Sequence, residues 1–317
     1  MEGLTWLAFE EGFHEAGAIG EQLRQSAAKT LDRVEAHESL VVSSICFARA
    51  GDFETARAVA DDATRQGGHL NPLRALHAGA AQTLCRAPTG RMEELKQATR
   101  DVVRLAEEEG DRTCATGIVA LAGHVLSLFE TDDRPATARA LALLDRLIPV
   151  PRAADRMHSR VIVAELLRPV IGLAAARELL DPVEGLWDLG WVVLRLRAEL
   201  PVLVLSSEWE SLDVRIDEAR AVAARAGAPA LALIADWAEA ALISRRGDPA
   251  GLARARAAAE NLDMYGERYT AARLLADLIG VLDAQERTDL ADEVVARLEQ
   301  MGAIGSAAQA RAAVATA

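Results

Sequence analysis

Lysine is almost missing from this chain: Lys29 and Lys96 stand against 33 arginines, an imbalance that reads as the codon bias of a GC-rich genome. Aromatic residues make up only 4%. No run of strict apolar–polar alternation is long enough for a strand, and the one β-like piece, residues 201–205, reads as the end of a buried helix. A basic surplus is also missing. The formal charge is −13, which argues against nucleic acid as the main ligand, because phosphate binding needs a clustered basic surface. Cysteine is scarce and unpaired. Cys46, Cys85 and Cys114 form no C-x-x-C, so they read as free thiols in a reducing cytoplasm. The most apolar stretch, residues 191–205, is broken by Arg195, Arg197, Glu199 and Pro201 and does not span a bilayer. Residues 1–13 carry acids and no basic n-region, so a secretory signal is not expected. A cytoplasmic protein with no membrane contact follows.

Catalytic signatures are missing too. No G-x-x-x-x-G-K-[ST] loop, G-x-S-x-G elbow or H-E-x-x-H pair occurs, and the sequence signals no Cys–His arrangement. The histidines, His14, His37, His69, His77, His124 and His158, form no metal-ligand set. His14-Glu15 and His37-Glu38 are adjacent pairs, which do not face one another on a helix. Asp61-Asp62 and Asp132-Asp133 lack the third acid of a magnesium-binding D-D-x-x-D motif, and read as a solvated face and a helix start. No catalytic residue, cofactor or metal is expected.

What is present is alanine, leucine, arginine and glutamate in helical periodicity, and 51% of the residues are hydrophobic. Val119, Ala122, Val125, Leu126 and Phe129 share one face; Leu274, Leu275, Leu278, Ile279 and Leu282 share another. Turn signals recur at Gly67, Gly110, Val150, Gly190, Gly227, Gly266 and Gly302, a drifting period near 40 residues. A weaker mark splits each unit, at Gly51-Asp52, Pro88-Thr89-Gly90, Thr131-Asp132-Asp133, Ser206-Ser207, Gly247-Asp248 and Gln285-Glu286-Arg287. The pattern is helix, short turn, helix, glycine turn. A lone hairpin of this kind cannot bury its apolar face, whereas stacked hairpins can. The expected fold is all-α, a right-handed superhelical solenoid of about seven to eight antiparallel hairpins. Residues 1–37 read as an irregular helical cap or the remnant of a longer protein, 38–303 as the solenoid and 304–317 as a short C-terminal tail, with a break near 180–190 where Pro182, Gly185 and Gly190 crowd together.

These units resemble tetratricopeptide repeats, whose pattern is W-x2-L-G-x2-Y-x8-A-x3-F-x2-A-x4-P. Leu40, Ser43, Ser44, Phe47, Ala56, Ala60, Ala63 and Gly68 fall on those slots, as do Ala122, Val125, Leu126, Phe129, Ala138, Ala142, Asp145 and Val150. A third set is Leu275, Leu278, Ile279, Leu282, Ala291, Val295, Leu298 and Ala303. The first small slot is alanine each time; the large slots and the final proline are mostly lost. Residues 206–303 are similar to the helical arms of large bacterial signalling ATPases, both LuxR-type transcription activators and adenylate cyclases. Here neither an ATPase loop nor a helix-turn-helix after Gly302 is seen.

The resemblance implies that the first helix of each hairpin lines a concave groove. Those helices carry Arg74, His77, Gln82, His124, His158, Arg160, Arg195, Arg197 and Trp237; the groove candidates are Arg74, His77, His124, Arg160, Arg195 and Trp237. Glu199, four residues after Arg195, is a natural ion-pair partner for it, and Trp187, Trp191 and Trp237 read as core anchors. The expected function is a non-catalytic scaffold that binds a protein, a peptide or a small effector as the arm of a regulator. A DNA-associated regulator and a helical enzyme with an unrecognised site are the alternatives.

Overall fold

The computed structural model describes residues 13–67, 70–149, 153–181, 188–282 and 284–315. Among them lie sixteen α-helices and no strand. They are α1 (Ala16–Ala27), α2 (Arg33–Arg49), α3 (Phe53–Gly67), α4 (Pro72–Arg86), α5 (Met92–Ala98), α6 (Val102–Glu109), α7 (Ala115–Glu130) and α8 (Arg134–Leu147). There follow α9 (Ala153–Leu180), α10 (Leu189–Leu205), α11 (Trp209–Ala226), α12 (Pro229–Arg245), α13 (Ala250–Met264), α14 (Arg268–Leu278), α15 (Ala284–Gln300) and α16 (Ile304–Ala315). The chain is all-helical. No helix among the described residues is long and apolar enough to cross a membrane. Gly68, His69, Val150, Pro182, Gly185 and Trp187 lie outside the described residues.

Helix starts follow local chemistry. The Asp32 carboxylate accepts the amides of Val34 and Glu35 at 2.8 and 3.2 Å, and Asn71 accepts the Arg74 amide at 2.9 Å with Pro72 next in line. Helix stops use glycine. Gly227 closes α11 in the left-handed region (φ 61°), and Gly51 after α2 has φ 81°. Both are also points of close approach. A Cβ on Gly51 would sit 2.6 Å from the Tyr265 ring, and one on Gly227 would sit 2.5 Å from the His14 imidazole.

Helices joined by short turns pack side by side, as α2 does on α3, α12 on α13 and α15 on α16. Helices further apart in the chain meet as well: α2 on α4, α4 on α7, α7 on α9 and α10 on α12. Small residues make the close contacts, since Ala56, Ala60 and Ala63 of α3 are fully buried and Ser44 of α2 donates to the Ala56 carbonyl at 2.8 Å. The second half then closes on the first. The Phe13 amide donates to Ala226 O at 2.5 Å, the Tyr269 amide to Pro88 O at 2.9 Å, and α16 packs on α7.

Residues 304–315 form helix α16, with Gly305, Ser306, Ala307 and Ala310 buried. Within residues 1–37, helix α1 brings Ile19 and Leu23 into the core. Two sequence expectations are corrected, at Gly190 and at Ala138 with Ala142. Gly190 lies inside α10, not at a turn. Ala138 and Ala142 are exposed: α8 begins at its Asp133 cap, and that phase turns Thr137, Ala140, Leu144 and Leu147 inward.

Residues 153–180 held a further surprise. They run as two helical pieces around Gly172 (φ 82°), three residues after Pro169. Arg160 donates to Glu178 O at 2.6 Å and to Leu179 O at 3.2 Å. Eighteen residues of straight helix would hold those groups roughly 27 Å apart, so the chain reverses at the glycine.

Candidate functional site

The inner side of the molecule is closed by charge pairs. Arg197 on α10 donates to Glu267 at 2.7 and 2.8 Å and to Glu165 on α9 at 2.8 Å. Burial works against the Arg197 cation, and the two carboxylates outweigh it, so its pKa lies above the usual arginine value. Arg49 sits nearby with its guanidinium 4.9 Å from the Phe13 ring centre; burial lowers its pKa to about 10. Arg168 pairs with Asp277 at 2.6 Å. Two cavities flank this belt, of about 90 and 70 Å³, room for a few waters each.

On the outside, α9, α10 and α11 frame an open groove of about 620 Å³. It is lined by Arg177, Arg195 and Arg215 with Glu199, Glu208 and Glu210, and by the exposed Val214 beside the buried Val202 and Leu203. Arg195 pairs with Glu199 at 3.5 Å, as its i,i+4 spacing suggested, and Glu199 also accepts from Arg215 at 3.2 Å. Val214 is 68% exposed.

A third locus joins three helices. Cys114 is the residue before α7, with extended backbone (φ −88°, ψ 173°). Its Sγ lies 3.3 Å from Nε2 of His77 on α4. His77 Nδ1 lies 2.9 and 3.2 Å from the carboxylate oxygens of Glu38 on α2, and Arg74 pairs with that same carboxylate. Burial pushes the His77 cation down, but Cys114 and Glu38 together raise its pKa to about 9. Burial likewise pushes the Cys114 thiol up, and His77 with the amides at the start of α7 brings it below its usual value. Cys46 and Cys85 differ: both are buried, and burial lifts each thiol to about 11. Glu38 and Cys114 meet opposite ring nitrogens, so they do not converge on one ion. Among the described residues no group of three His, Cys, Asp or Glu is placed to hold a metal.

The six groove candidates do not share one surface. Arg74 and His77 meet at the Glu38–Cys114 locus, and Arg195 lines the groove of α9–α11. His124 is buried; burial and Lys96 lower its pKa to about 4, and Thr99 Oγ1 lies 3.0 Å from its ring. Arg160 is spent on the carbonyls that end α9. Trp237 is fully buried in the core. Gln82 binds Asp61 and Thr64 at 3.1 and 2.7 Å, and His158 stacks on Trp191 with ring centres 3.6 Å apart.

Sequence reading missed Glu38 and Cys114 as members of a cluster. Their spacing held a signal. His77 is 39 residues from Glu38 and 37 from Cys114, one repeat period each way, and Arg256 pairs with Glu293 across another 37.

Comparison with known proteins adds no relative: no described protein family matches the chain, and no curated protein matches it significantly.

Proposed function

We propose that the protein is a right-handed, tetratricopeptide-like helical-repeat scaffold that recognises a protein, a peptide or a small effector through the groove of α9–α11. In this reading it serves as the regulatory arm of a bacterial signalling or transcription regulator in the cytoplasm and turns over no substrate. The observation that carries it is the groove itself, where the exposed Val214 stands among the arginine and glutamate side chains that line it. Apolar surface beside charged side chains suits a recognition surface. The near-40-residue helical period supports it from the sequence side, and the charge of −13 speaks against direct nucleic-acid contact.

The test is affinity capture from the host's own lysate at moderate salt, with wild type and Val214→Glu as baits and mass spectrometry as readout. A protein retained by wild type and lost with Val214→Glu supports the reading. An identical set of proteins on both baits, with no small molecule co-purifying in native mass spectrometry, overturns it.

A further inference from the structure

The Glu38–His77–Cys114 line is used by nothing so far described. Its order is that of an activated nucleophile: a sulfur, a base against it, and a carboxylate holding the base. The separations, 3.3 Å from sulfur to Nε2 and 2.9 Å from Nδ1 to the carboxylate, place one imidazole between both partners. A protonated ring satisfies both at once, because imidazolium donates from each nitrogen. Arg74 pairs with Glu38. Burial works against that carboxylate's charge, but His77 together with Arg74 holds it below its usual pKa, so it stays ionised and its charge stabilises the ring proton. Cys114 also precedes a sixteen-residue helix, whose free amides and dipole favour an anion there. Cys114 is partly exposed, whereas Cys46 and Cys85 are buried.

We propose that Cys114 is a covalent modification site, a thiolate paired with the His77 imidazolium that reacts with small hydroperoxides. The sulfur attacks one peroxide oxygen and the O–O bond breaks. The leaving hydroxide takes the Nε2 proton of His77 and departs as water. Sulfur loses two electrons, the peroxide gains two, and the products are Cys114 sulfenic acid and neutral His77. A peroxide suits the site for two reasons. It is small enough for a partly exposed cysteine, and its leaving group needs the proton that His77 already holds there. No second cysteine is exposed to condense with the product, so reversal falls to an external thiol. The event is stoichiometric, one oxidation per chain. It removes the ion pair between α4 and α7, and it stands independently of the α9–α11 groove.

The test uses the full chain. Each cysteine is alkylated with iodoacetamide from pH 5 to 10 and read by mass spectrometry, and hydrogen peroxide is added in the presence of dimedone. We expect Cys114 alone to react in the folded protein, with a midpoint below the ordinary thiol value of about 8.5. At pH 6 it should gain a peroxide-dependent dimedone adduct. His77→Gln should move the midpoint up to the ordinary value and slow adduct formation at pH 6 by ~10-fold or more. Glu38→Gln should shift both in the same direction, and it serves if His77→Gln fails to fold by circular dichroism. A wild-type midpoint at or above the ordinary value overturns the proposal, as does a profile unchanged in both variants. A lowered midpoint without a dimedone adduct overturns the peroxide chemistry.

Discussion

The carboxylate of Glu130, at the end of α7, accepts the backbone amide of Ser306 at 2.9 Å, across 176 residues of chain. Ser306 is in the first turn of α16, whose amides have no partner within the helix. Glu130 therefore caps a helix that the chain reaches only at its end, and the helix dipole favours the charge placed there. The same carboxylate accepts from Tyr269 at 2.6 Å and from the Ser306 hydroxyl, so one buried group ties α7, α14 and α16 together.

Replacing Glu130 by alanine leaves three buried donors without their acceptor. The expected cost is about 2–4 kcal/mol, seen as a lower urea midpoint with an unchanged slope. Hydrogen exchange should speed up first in α16. A midpoint within error of wild type would mean that the cap contributes nothing.

Arg197→Met removes the cation shared by Glu165 and Glu267, and Glu267 is only 4% exposed. Stranding that carboxylate should destabilise the fold by about 3–5 kcal/mol. Adding Glu267→Gln should recover part of the loss, because the uncompensated charge goes with it. Additive losses in the double variant would show that the two residues act separately.

Gly123 faces Thr83 so closely that a new Cβ would lie 2.7 Å from the Thr83 Cβ, and a β-branched side chain cannot swing aside. Gly123→Ala should cost about 1–3 kcal/mol despite alanine's better helix propensity. Thr83→Ala in the same chain should restore most of it. Thermal unfolding of the two single variants and the double decides the matter, and an unchanged melting temperature in Gly123→Ala would refute the contact.

The neutral His124 gives the fold an acid weakness. Burial and Lys96 depress its folded pKa to about 4, below the unfolded value near 6.5. The unfolded chain then binds the proton more readily, so stability is full above about pH 6.5 and is lost as pH falls toward about 4. The loss is on the order of 3 kcal/mol by linkage. Melting temperatures of wild type and His124→Gln from pH 7.5 to 4.5 should converge as the pH drops. Parallel curves would show that His124 titrates normally.

The helices and most of their ends could be read from residue order because they rest on short-range constraints. Asp32, Asn71 and Asp133 bond amides two or three residues away, and Gly51, Gly227, Gly266 and Gly302 adopt positive φ where helices stop. The Gly172 reversal escaped notice because Pro169 and Gly172 stand inside an apolar stretch that keeps helical spacing on both sides. The Ala138 slot failed for a related reason. A family pattern fixes which residue types recur, while the buried face of α8 depends on the turn that launches it.

By itself the sequence determined the all-helical class, the near-40-residue rhythm and the lack of any familiar catalytic motif. Each of these lives in a window of a few to forty residues. The tertiary structure alone decided which side chains meet. It brought Cys114, His77 and Glu38 from three helices to one line and buried Trp237 instead of presenting it. It also capped α16 with Glu130 and paired Arg197 with Glu165 and Glu267. Such meetings depend on the stacking phase and on closure between the two halves of the chain. Which distant residues meet is set by how all the helices pack together, and no local residue preference encodes that.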